Sequence, residues 1–293
     1  MSSTTTQSRT QRTRPQRAFR RRASVSRIVF ALVATVIFAF PLYLVLVNAF
    51  KTNDQIIGNP AALPVPVTGT NIVAILNGSS YGFWTGLFHS LIIVVPSLAG
   101  AVVLGAMMGY YLGRTKGIAV RLMQGILLIG LMLPFQVLLL PLSIILRAFG
   151  LEGSYLGIIL FNIAYYVPFA AFVFSGFMRS IPLELEEAAQ LDGAGRVRIF
   201  VQVVVPLLRP ASASVLIFVA VWIWNDFLNP LVLLGPGLGT TVTTGVYLAM
   251  GQFKTDFGGM FAIMLLSALP ILVLFLALQK HFVAGLVSGS TKG

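Results

Sequence analysis

Eight acidic side chains occur in this chain, and four of them (Glu184, Glu186, Glu187 and Asp192) fall within nine residues of the stretch LELEEAAQLDGAGRVRIF, Leu183 to Phe200. Catalysis would need other groups beside them, and those are missing. There is no cysteine, which excludes thiol nucleophiles, disulfides and thiolate metal sites. The two histidines, His89 and His281, lie far apart near the ends of apolar runs and read as interfacial side chains, so no metal site is expected. No carboxylate pair or Ser-His-Asp arrangement can be picked out. No G-x-x-x-x-G-K-[ST] phosphate loop occurs; GRTKG at 113–117 lacks the spacing. If ATP drives the protein, another chain hydrolyses it. Asp226 is the one clear acid inside an apolar run, a thin proton relay where carriers usually bury several ionisable groups. A membrane enzyme and a self-contained secondary carrier are the weaker alternatives.

What the acidic stretch can do is dock. Pro182 suits a first helical turn with Ser180 as its cap, and the glutamates then sit near the positive end of the helix dipole. Ala188, Ala189 and Leu191 continue the helix, and Gly193 terminates it in a left-handed conformation. A second short helix is expected to begin near Gly195 or Arg196 and to end at Pro206. Small side chains at the elbow allow close approach to a partner. Charges of both signs, Arg196 and Arg198 among them, would fix the register.

The elements that must position this stretch are membrane spans. Of 293 residues 57% are hydrophobic and 10% charged, against roughly 25% charged in soluble domains. Apolar runs long enough to cross a bilayer recur at about 28–50, 89–112, 122–146, 155–178, 211–234 and 258–279. The reading is an all-α integral membrane protein of six spans. Pro134 and Pro141 predict a kinked third span whose freed carbonyls find other donors. The net charge of +12 does not signal a nucleic-acid partner. If the amino terminus is cytosolic, seventeen of the twenty Lys and Arg fall in inside segments and three (Lys51, Arg147, Lys254) outside, which by the positive-inside rule puts both termini and the acidic stretch in the cytosol. Residues 1–27, rich in Ser, Thr and Arg and free of acids, read as a disordered basic arm lying on anionic membrane lipid. Residues 28–293 form the transmembrane domain, with the docking segment at about 179–210.

Glu187-Ala188-Ala189, Asp192-Gly193-Ala194 and Pro206 at its distance resemble the EAA coupling motif of permease subunits in ABC importers. The likeness is closest to the carbohydrate-uptake, maltose-permease-like branch. MLPFQVLLLPL (132–142), IPLELEEAAQLDGA (181–194), WIWNDFLNPLVLL (222–234) and the ending LQKHFVAGLVSGSTKG extend it over about residues 28–293. Departures are mild: Val203 and Val205 replace the commoner Ile and Leu, His89 stands at a usual Asn, and Ser290-Thr291 replace Ala-Val. The resemblance implies a type I importer membrane domain in the bacterial inner membrane. It implies as partners a second permease subunit, two ATP-binding-cassette ATPases, an extracytoplasmic solute-binding protein and a sugar, with no cofactor and no ATPase site of its own. Another small polar solute is the alternative cargo. Glu184, Glu187, Ala188, Ala189, Asp192, Gly193, Ala194 and Pro206 would form the joint with the ATPase, the cluster as a whole being surface acids that meet cations. The loop of about Gly235 to Gly258 would touch the binding protein. Phe161, Tyr165, Tyr166 and Phe169 recur at helical spacing. Tyr165, Tyr166, Asn225 and Asp226 are the candidates for the translocation path, with Asp226 either facing a cavity or held in a structural hydrogen bond.

Overall fold

The structure is a computed structural model that describes residues 25–78, 82–250 and 256–290. Helices are the only regular structure among them. Four are long and apolar enough to cross a membrane, and six spans result if each of two bent helix pairs is one span.

The chain divides into two compact units, one up to Tyr43 and one from Leu44. The first contains most of helix α1 (Val25–Asn48), apolar on all sides, with Phe30, Phe38 and Leu42 exposed. The helix begins three residues before the span expected from sequence. The expected disordered arm otherwise lies outside the described residues.

The second unit opens with two short helices, α2 (Asn53–Gly58) and α3 (Thr70–Leu76), tied down by polar groups. Lys51, only 1% exposed, donates through Nζ to the carbonyls of Asn59 (3.1 Å) and Pro60 (3.2 Å). Burial pushes its ammonium below the ordinary pKa.

The centre of the unit is the pairing of α4 (Phe83–Arg114) with a later span. Between them lie α5 (Ile118–Met132) and α6 (Phe135–Ala148), and the partner is α7 (Tyr155–Met178). The two run parallel. Gly105, Gly109 and Gly113 form a stripe against which Ala170, Phe174 and Met178 lie in the same order. A Cβ at Gly109 would stand 2.5 Å from that of Phe174, so only glycine admits this approach. Small residues let helix backbones close in where lipid gives little hydrophobic drive.

The third span is broken rather than kinked: α5 and α6 meet at 102°. Leu133 is extended, as a residue before proline prefers, and Pro134 caps α6. The expected rescue of a freed carbonyl is present, since the Tyr165 hydroxyl donates to Leu133 O at 3.1 Å. Pro141 is carried inside α6.

After α7 come the two arms of the expected docking segment, α8 (Glu184–Leu191) and α9 (Arg196–Ile199). The second arm does not stop at Pro206. It widens into a π-helical turn over Phe200–Val204, in which Val205 N–H reaches back five residues to Phe200 O, and continues as α10 (Val205–Leu207). Proline lacks the N–H that a regular turn would use there, and the wider turn accommodates the loss. A 73° bend then leads into α11 (Arg209–Trp224).

The expected fifth span, 211–234, is interrupted at Asn225–Phe227 before α12 (Leu228–Leu233). The loop expected at about 235–258 is largely helical over its described residues: α13 (Gly235–Leu238) and α14 (Val242–Met250) precede the last span, α15 (Phe257–Ser290). Thr241, Val242 and Thr244 are buried, Val242 N–H bonds Ser90 Oγ at 3.1 Å, and Gly86 lies against the Thr241 backbone. His89 bonds Thr240 O at 3.0 Å, a packing role at a span end. The His281 side chain lies outside the description.

Candidate functional site

The segment expected to dock is built around a helix terminus. Gly193 has φ +82°, its N–H bonds Gln190 O at 3.0 Å, and Ala194 N–H bonds Ala189 O at 3.0 Å. This pair of bonds is a Schellman closure, which needs a left-handed residue after the helix end. Asp192-Gly193-Ala194 is therefore a folding signal as well as a surface. Ala189 and Ala194 are half-buried against the core, whereas Glu184, Glu187, Ala188, Leu191, Asp192 and Pro206 point outward. Leu191 is 91% exposed and Val197 on the second arm 78%, which leaves bare apolar side chains beside the charges. Ser180 does not cap α8, because its hydroxyl donates to Phe177 O instead; the helix starts uncapped at Leu183.

Glu186 is not a surface acid. It is buried, accepting Arg114 Nε at 2.6 Å on one carboxylate oxygen and the Tyr110 hydroxyl at 2.7 Å on the other. Arg114 Nη1 donates further to Met178 O (2.9 Å) and Ile181 O (3.0 Å). One guanidinium thus joins the end of α4, the end of α7 and the first turn of α8. Sequence reasoning took Glu186 with its neighbours and Arg114 as an orienting charge. The available signal was that Glu186 precedes Ala189 by three residues and so shares its inward face.

The second feature is a cavity of about 590 Å³ between the two broken spans. Phe135 and Gln136 line it from the break between α5 and α6, and Asn225, Asp226 and Asn229 from the break after α11. Interrupted backbone at membrane depth is tolerated where it lines a cavity. Tyr165, Tyr166, Phe169 and Trp222 complete the wall; Tyr166 and Trp222 stack with centroids 5.8 Å apart, and Phe169 meets Trp222 edge-on at 4.8 Å. All four path candidates meet here. Phe161, their companion in the sequence stripe, is buried in the core. Asp226 fills both roles weighed for it. Its carboxylate accepts Asn229 N–H (3.1 Å) and Asn229 Nδ2 (2.6 Å), which starts α12, and it lines the cavity. Gln136 and Trp222 were missed, because only the two breaks bring them to this wall.

Residues 101–288 match the family described as "Binding-protein-dependent transport system inner membrane component". The chain belongs to it. Relatives support the assignment. The multiple sugar-binding transport system permease protein MsmG of Streptococcus mutans is 30% identical over 91% of this chain and 96% of its own length. The diacetylchitobiose uptake system permease protein NgcG of Streptomyces coelicolor is 33% identical over 93% and 89%. In fold, the chain is similar to a bacterial ABC transporter that imports the acidic polysaccharide alginate, with TM-score 0.73 and 19% identity over 89% of this chain and 99% of that one. As a family member the chain is a multi-pass inner-membrane transport component and not an enzyme, and the self-contained carrier falls away.

Proposed function

We propose that this chain is the permease subunit of an ABC sugar importer. It would share its path with a second permease subunit, receive sugar from an extracytoplasmic binding protein, and engage two ATPases through Glu184–Ala194. The cavity carries the cargo reading: flat aromatic faces beside Gln136, Asn225 and Asp226 suit a ring with an apolar face and a rim of hydroxyls. The names of the relatives support sugar over another small polar solute.

Trp222→Ala and Asp226→Asn test the cavity. Asn caps a helix about as well as Asp, so the break after α11 should survive the second change. Uptake should fall at least roughly tenfold, equivalent to about 1.4 kcal/mol, while binding-protein-stimulated ATP hydrolysis persists. Wild-type uptake by both variants would remove the cavity from the path.

The proposed orientation puts the docking segment and both termini in the cytosol. It follows from the distribution of Lys and Arg. Because the chain has no native cysteine, single cysteines report cleanly. Cysteine at Glu152, exposed before α7, should react with an impermeant thiol reagent added outside intact cells, and cysteine at Ser180, exposed after it, should not. The reverse pattern would invert the protein and sink the docking argument.

A further inference from the structure

At the end of the bundle where α4 and α7 finish and α5 begins lies another cavity, of about 440 Å³, with a mixed polar and apolar lining. Three cations from three elements line it. Lys116 comes from the turn between α4 and α5, Arg121 from the first turn of α5 and Arg179 from the C-cap of α7, with Thr115 and Gln124 between them. Among the described residues none of the three cations has a carboxylate within ion-pair distance; the nearby acid, Glu186, is held by Arg114. Helix α5 starts here at Gly117 with no side-chain cap, and its first intrahelical bond is Arg121 N–H to Gly117 O. Its leading amides and positive dipole end add to the field of the cations.

Exposed apolar side chains adjoin the cavity along α5. Ile118, Leu122 and Ile126 are 65%, 62% and 68% exposed, and their spacing of four puts them on one face of α5 running away from the cavity. An anion seated among the cations would have an apolar track leading from it into the membrane. We propose that this cavity binds the phosphodiester headgroup of an anionic membrane lipid, with Lys116, Arg121 and Arg179 as its phosphate ligands and the α5 strip beneath its acyl chains. The inference rests on the membrane placement of the family. It does not depend on the cargo.

The test is native mass spectrometry of the purified full chain titrated with phosphatidylglycerol, and separately with phosphatidylethanolamine. One phosphatidylglycerol should be retained per chain above background. Since each basic side chain near an anionic headgroup strengthens attraction roughly fivefold, Lys116→Gln/Arg121→Gln/Arg179→Gln should weaken retention on the order of a hundredfold. Removing two charges at Arg196→Gln/Arg198→Gln should leave retention within about twofold, because those arginines lie outside the cavity. Should the triple variant fail to fold, as judged by its thermal unfolding, the single variants Lys116→Gln and Arg121→Gln should each show a partial loss. Equal retention of the two lipids, or undiminished retention by the cavity variants, overturns the proposal. Displacement of the lipid by excess inorganic phosphate overturns it too, by assigning the cavity to a soluble anion.

Discussion

Glu186→Ala is expected to cost the protein about 3–5 kcal/mol of stability, because it leaves Arg114 charged and enclosed without its carboxylate. Its side chain is 4% exposed and that of Arg114 16%, so water can replace little of what is lost. The change should appear as a lowered thermal midpoint in detergent. The functional effect should be distinct from failed docking. Glu184, Glu187, Leu191 and Val197 remain on the outer face, so the ATPase should still co-purify. What disappears is the tie from α8 to Tyr110 and Arg114 on α4, through which, under the proposed docking, a push on the helix would enter the span. Hydrolysis should continue while uptake per ATP falls. Arg114→Met/Glu186→Leu should recover only part of the stability, since it removes the stranded charge but leaves the Tyr110 hydroxyl and the carbonyls of Met178 and Ile181 without their partners. A loss below about 1 kcal/mol in Glu186→Ala, within the range of exposed ion pairs, would show that the clamp is a surface contact.

How much of this was legible in the sequence depends on how far each determinant reaches along the chain. Gly193 could be read because a left-handed helix end is a local demand, met by the glycine itself. The start of the second arm near Arg196 was local in the same way. Pro134 was half legible. It announced a disruption, but the size of the bend depends on Tyr165, 32 residues on, whose hydroxyl satisfies the Leu133 carbonyl and makes a complete break tolerable. Glu186 was misread with its neighbours because its partner Arg114 is 72 residues away. Glycine-rich 235–258 read as a plain loop because the contacts that bury Thr241 and Val242 come from Gly86 and Ser90 on α4. The cavity followed the same rule. Its polar and aromatic members were visible singly, and only two breaks in separate spans collect them. The orientation and the docking face remain readings of charge and motif.

Substitution of Gly193 should sever the protein from its ATPase. A side chain in a left-handed conformation costs on the order of 1 kcal/mol, and a branched one such as valine more. Space is not the obstacle, for a Cβ at Gly193 would meet nothing within 4 Å. The cost lies in the closure itself. If φ leaves +82°, the bonds from Gly193 N–H and Ala194 N–H are lost together, Ala194 leaves the core, and the angle between the two arms changes. The spans are untouched, so membrane insertion should remain normal. Gly193→Val should therefore give wild-type amounts of inserted protein that no longer retains the ATPase on purification or supports uptake. Glu187→Lys should do the same by a different cause. Its side chain is exposed and the clamp at Glu186 stays intact, so the change places a cation against expected cations without disturbing the fold. A compensating charge reversal on the ATPase should then rescue Glu187→Lys and leave Gly193→Val unrescued, which separates a lost ion pair from a lost shape. Wild-type uptake and ATPase retention in both variants would mean that this turn touches solvent alone, and that force enters the membrane domain elsewhere.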